Sequence, residues 1–155
     1  MDARVRAKIE LAERVRAFLQ SRPAMQAAYG SVIAALEELL IRAAGLEARQ
    51  HEGMVAERAA MVEESLQRRV LSRGRFETTR LEAAIEAGQR AYREQSEARA
   101  ELWAVAAEIS TQVRLIDGPV RYRFWGNPQG LASWEQVLGG RGVQWRGGSD
   151  VAPAA

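Results

Sequence analysis

Cysteine is absent from this chain of 155 residues, and histidine occurs once, as His51. Without cysteine there is no disulfide, no thiolate zinc site and no cysteine nucleophile. Di-iron helical bundles need a glutamate three residues before a histidine on each of two helices. Ala48 occupies that place before His51, and there is no second histidine. The sequence therefore predicts neither a metal site nor a cofactor.

Signatures of catalysis are equally scarce. The chain contains no G-x-S-x-G elbow, and no phosphate-binding glycine loop that leads into a helix. Glutamate pairs such as Glu37–Glu38 and Glu63–Glu64 are typical of solvated helix faces. We therefore predict that the protein is not an enzyme.

Long apolar runs are also missing. A membrane-spanning helix needs about 20 apolar residues, and the most apolar segment, SVIAALEELLIRAAG, is interrupted by Glu37, Glu38 and Arg42. The first residues, MDARVRAKIE, lack the uncharged apolar stretch of a secretory signal. We expect no membrane span, and a location in the cytoplasm or within a virion or another assembly.

What the sequence does contain is helical periodicity. Residues 1–22 predict an amphipathic helix that ends before Pro23, and residues 24–72 predict one long helix. The long helix carries apolar residues at alternating spacings of four and three, a heptad pattern that predicts a partner helix. These residues are Met25, Tyr29, Val32, Leu36, Leu39, Ala43 and Leu46. The spacing then meets Gln50 and Gly53, where we expect a weakened helix, and a looser apolar face follows: Met54, Met61, Val62, Leu66 and Val70.

A turn is predicted near 72–78, followed by a third helix that runs to 117. Its predicted heptad frame is Leu81, Ile85, Gly88, Tyr92, Gln95, Arg99, Leu102, Ala106, Ile109, Val113 and Ile116. The fold class is therefore mainly α, with a helical hairpin over 23–117 that pairs within one chain or forms a coiled-coil bundle between chains. The residues chosen for helix association are Leu36, Leu39, Leu102 and Ile109.

The last part of the chain differs from the rest in composition. Two alternating segments flank one short helical pattern, so residues 118–148 predict a small β-α-β-like appendage, and 149–155 a disordered tail. Two strands and one helix are too few to be stable alone, so we expect this module to dock on another surface. Its predicted docking residues are Tyr122, Phe124, Trp125, Trp134 and Trp145.

A group of arginines near the predicted turn is the best candidate for binding an anion. It comprises Arg68, Arg69, Arg73, Arg75 and Arg80. Such a group fits phosphates or an acidic protein partner, but the chain's net charge is only +2. The prediction is a structural or assembly protein that forms homo-oligomers or joins other protein subunits, as in a phage virion or a secretion machine. Two alternatives stay open: a nucleic-acid-binding protein that uses Arg68–Arg80, and a chaperone or adaptor for one client.

Overall fold

The computed structural model describes residues 1–74 and 78–116. These residues are 92% helical, in three helices and without a strand. This confirms the prediction of a mainly α protein. The appendage predicted at 118–148 and the disordered tail predicted at 149–155 lie outside the described residues.

Helix α1 spans Ala3–Gln20. The Asp2 carboxylate accepts a hydrogen bond of 2.8 Å from the backbone N–H of Arg4, which caps the start of the helix. The helix ends where the backbone N–H of Ser21 donates to the carbonyls of Ala17 and Phe18. The apolar face of α1 is buried, as its periodicity predicts.

Helix α2 spans Pro23–Ser72, close to the predicted bounds. It has one non-helical residue, Tyr29, with φ −123° and ψ 26°. This kink directly precedes Gly30 and Ser31, a pair of residues that commonly accompanies helix kinks. The single long helix predicted over 24–72 is present and continues through Gly53, while a weaker helix at that glycine stays a prediction.

The chain turns after α2 and enters α3, which spans Thr79–Arg114. Gly74 adopts a positive φ of 85°, a left-handed conformation that favours glycine, just beyond the end of α2. Helix α3 ends three residues before the predicted boundary. The chain divides into two compact units.

Unit 1 comprises Met1–Ala43 and the described part of Ala104–Ala155. All three helices contribute large apolar residues to its core. The fully buried ones are Val5, Val15, Phe18, Leu19, Met25, Leu36, Val105, Ile109, Val113 and Ile116. An ion pair of 3.4 Å between Arg42 and Glu108 joins α2 to α3, and Gln20 at the end of α1 donates to Glu37.

Unit 2 comprises Ala44–Trp103 and contains only α2 and α3. The two helices are antiparallel, since Arg49 pairs with Glu101 at 3.7 Å and Glu57 accepts a hydrogen bond from Gln95. Small residues dominate their shared face. The buried positions are Leu46, Gln50, Gly53, Ala60, Ala84, Ala91, Ala98 and Leu102.

The heptad pattern of α2 therefore continues where the sequence suggested that it failed. A Cβ on Gly53 would lie 2.9 Å from the Cβ of Gln95 and 3.2 Å from the carbonyl oxygen of Ala91. Glycine at this position lets the two helix backbones approach closely. Gly53 thus extends the packing face.

The predicted heptad frame of α3 is wrong at two positions of its first half, Tyr92 and Arg99, whereas its Gly88 and Gln95 lie on the contact with α2. Tyr92 is 59% exposed and Arg99 is exposed, whereas Ala91 and Ala98 are buried. Close approach of the helices at Gly53 leaves room for small side chains only, so alanines take the facing positions. From Leu102 onward the predicted frame is confirmed.

Among the described residues, one helix, α2, is long and apolar enough for a membrane span by length and composition alone. This finding departs from the expectation based on Glu37, Glu38 and Arg42. In the apolar stretch of α2 that meets this criterion, 33% of the residues are buried inside the fold. Core helices of soluble proteins pass the same test, so this feature is weak evidence for a span.

Candidate functional site

Large apolar side chains of unit 2 lie on its surface. Their exposed fractions are 40% for Met54, 54% for Val55, 61% for Met61, 61% for Val62, 49% for Leu66, 59% for Tyr92 and 44% for Trp103. Folded domains usually bury such residues and expose charged ones. Here glycine and alanine occupy much of the interior while methionine, valine and leucine face outward. Exposed apolar groups of this kind mark sites of interaction with other molecules.

Part of this surface is a second heptad pattern on α2. We call it the outer stripe, and it consists of Glu52, Val55, Ala59, Val62, Leu66 and Arg69. Successive members are three or four residues apart, so they follow one face of the helix. All six are exposed. One helix therefore carries two heptad faces, of which the inner packs on α3 and the outer on nothing in the described part of the chain.

A groove of about 530 Å³ runs beside the packed face of unit 2. It is lined by Glu57, Met61, Glu64, Ile85, Gly88, Gln89, Tyr92 and Arg93. Gly88 lies at the helix contact, where an added Cβ would be 3.5 Å from the Cβ of Ala60, an ordinary van der Waals distance. Met61 joins this groove to the exposed apolar surface.

The structure places the four predicted helix-association residues inside the chain's own fold. Leu36, Leu39 and Ile109 are buried in unit 1, and Leu102 is buried in unit 2. They pack helices of one chain together. Association between chains through these residues stays a prediction, and in this structure their side chains are not accessible to a second chain.

Arg68 and Arg69 lie near the end of α2, Arg73 directly follows that helix, and Arg80 lies at the start of α3. Arg68 donates to Glu64 at 2.7 Å, one helical turn away. Arg69, Arg73 and Arg80 are exposed and form no salt bridge within residues 1–74 and 78–116. Arg75 lies outside the described residues.

His51 is exposed on α2. In the part of the chain that the structure describes, no three histidine, aspartate or glutamate side chains are grouped so as to hold a metal ion. Lys8 donates to the Ser110 hydroxyl at 2.6 Å. Partial burial, and then the nearby charge of Arg114, lower the pKa of Lys8 from its ordinary value. The hydrogen bond to Ser110 ties α1 to α3 within unit 1.

The predicted docking residues Tyr122, Phe124, Trp125, Trp134 and Trp145 all lie outside the described residues. The sequence interpretation treated Met54, Met61, Val62, Leu66 and Tyr92 as parts of helix-packing faces, and it missed Val55 and Trp103. The signal for two separate faces was present. From Glu52 to Arg69 the spacing of the outer stripe repeats that of the inner face two residues further along the helix. Comparison with known protein families, curated proteins and solved structures finds no match for this chain.

Proposed function

We propose that this protein is a non-catalytic structural or assembly protein that self-associates and binds other subunits through its helices. The observation that carries the proposal is the outward-facing apolar surface of unit 2. Two helices packed through glycine and alanine bury little apolar area, and each buried Å² contributes only about 25 cal/mol. A partner that covers Val55, Met61 and Val62 adds the missing burial.

The predicted module at 118–148 supplies a second contact in this proposal. Its aromatic residues dock on a neighbouring subunit or on a different protein of the assembly. A phage virion or a secretion machine is a fitting setting, because such assemblies contain many small helical subunits. This setting is an analogy of architecture.

Absolute mass in solution tests the proposal. We expect light scattering of the full chain to give an average mass of more than one chain per particle. The fraction of chains in such particles should rise with protein concentration. A chain that ends at Gly118 should keep helix-mediated association and lose the contacts of the tail module. A single-chain mass at every concentration, for both lengths, would contradict self-association.

Nucleic acid is the second candidate partner, because Arg69, Arg73 and Arg80 are exposed without a salt bridge among the described residues. If these arginines bind phosphates, affinity for DNA or RNA should fall steeply with salt, with a slope of about −0.7 to −0.9 per phosphate contacted. Arg73→Ala should lower both the affinity and the slope. Arg90→Ala, which removes an exposed arginine paired with Glu86, is the matched control. An affinity that is insensitive to salt would rule this candidate out.

A further inference from the structure

The outer stripe has a charge at each end and apolar residues between them. Val55, Ala59, Val62 and Leu66 form its centre, Glu52 precedes them and Arg69 follows. The distance from Glu52 to Arg69 along the helix is about 26 Å at 1.5 Å per residue. Neither charged residue forms a salt bridge within the described residues. The stripe therefore offers one acidic and one basic end to whatever covers it.

The outer stripe is complementary to a second, antiparallel copy of itself in both side-chain size and charge. If a second stripe runs antiparallel, Val55 faces Leu66 of the partner subunit and Ala59 faces Val62 of the partner subunit. Each contact sets a smaller side chain against a larger one, which favours close packing. Glu52 then faces Arg69 of the partner subunit, and two-fold symmetry forms that ion pair twice.

Other arrangements fit less well. In a parallel pair, Glu52 would face Glu52 of the partner subunit and Arg69 would face Arg69, so both ends would repel. A lipid surface favours helices whose polar flanks are rich in Lys and Arg, whereas Glu52 is in line with the apolar residues. A heptad pattern favours packing on another helix. The α2 helix of a second copy of this chain carries the charges that match Glu52 and Arg69.

We propose that a second copy of this chain packs antiparallel on the outer stripe and forms a two-fold symmetric dimer. This inference rests on the proposed function, since both require self-association. The stripe is short, so the interface falls below the roughly 1,200 Å² of a standard stable complex. The dimer is therefore expected to be weak, with a dissociation constant on the order of micromolar, and to strengthen when other contacts hold the subunits together.

Charge reversal in the full chain tests the pairing. Glu52→Arg and Arg69→Glu each place like charges opposite one another at both ends of the dimer. We expect each single variant to weaken the dimer about tenfold in sedimentation equilibrium, because two attractive pairs become repulsive. The double variant restores opposite charges and should return the dissociation constant to within about threefold of the original.

Glu47→Arg is the matched control, since it reverses an exposed glutamate of α2 that lies outside the stripe. It should leave the dissociation constant unchanged, and circular dichroism should show the same helix content in all four variants. If the chain associates but the double variant is as weak as the singles, or no reversal has an effect, the antiparallel stripe is wrong while the proposed function stands. If the unaltered chain has the mass of one chain at all concentrations, self-association itself is wrong.

Discussion

Replacing Leu36 by alanine is expected to lower the free energy of unfolding by about 2–5 kcal/mol. Leu36 is 0% exposed in unit 1, so the substitution removes buried methyl groups and leaves a cavity that the three helices fill only in part. Small domains have a free energy of unfolding of about 5–15 kcal/mol. The loss should therefore be plain in urea unfolding followed by circular dichroism.

Ile41→Ala is the matched control for Leu36→Ala. It removes a similar side chain five residues later in the same helix, but Ile41 is 75% exposed. We expect a change below about 0.5 kcal/mol. A loss as large as that of Leu36→Ala would mean that Ile41 is covered by another molecule or another part of the chain.

The dependence of the unfolding midpoint on protein concentration tests whether the core around Leu36 lies within one chain. An unfolding midpoint that depends on intersubunit packing shifts with protein concentration, by mass action. The outer-stripe dimer would also shift the midpoint with concentration, so the comparison is made in the Glu52→Arg background, which weakens that dimer. We expect the midpoint of the Glu52→Arg/Leu36→Ala variant to stay constant over a hundredfold range of concentration. A midpoint that rises in this background as steeply as in the unaltered chain would indicate that the Leu36 seam joins helices of different chains.

Replacing Gly53 by alanine is expected to destabilise the protein by up to about 2 kcal/mol. Alanine improves helix propensity by about 1 kcal/mol, but its Cβ would lie 2.9 Å from the Cβ of Gln95 and 3.2 Å from the carbonyl oxygen of Ala91. The carbonyl oxygen of Ala91 is part of the backbone of α3, and the Cβ of Gln95 is bonded directly to that backbone. Neither atom can move aside alone, so the helices must separate. Overpacking of this kind costs about 1–3 kcal/mol.

The same substitution at Gly45 should have the opposite sign. Gly45 also lies inside α2, and a Cβ there meets nothing within 4 Å. Gly45→Ala therefore keeps the gain in helix propensity and should stabilise the protein by about 0.5–1 kcal/mol. Equal stabilisation by both substitutions, measured in the same urea titration, would contradict the close helix contact at Gly53.

Much of the helical framework is predictable from spacing alone. The inner face of α2 from Met25 to Leu46 stands out because its large apolar residues recur at heptad intervals, and the structure buries all of them. The turn is equally visible, because Gly74 interrupts the apolar periodicity. Local pattern is sufficient for these features, because large apolar residues on one stripe have no better place than a shared core.

Unit 2 is harder to predict, because its interior is built from residues that carry little hydrophobic signal. Gly53, Ala60 and Ala91 face inward, whereas Met61 and Tyr92 face outward. Hydrophobic periodicity favours the larger residue, which is why the predicted frame of α3 included Tyr92 in place of the neighbouring Ala91. Only the distance between the two helices shows that the contact has no room for them.

The sequence by itself determined a mainly α chain, the approximate ends of its three helices and the large-residue core around Leu36 and Ile109. It also contained both heptad faces of α2, although it did not indicate which of them packs on α3. The tertiary structure decided that point. The backbone of α3 approaches Gly53 too closely for any larger side chain, so the small-residue face is the inner one. Val55, Val62 and Leu66 are left outside, where a partner can cover them.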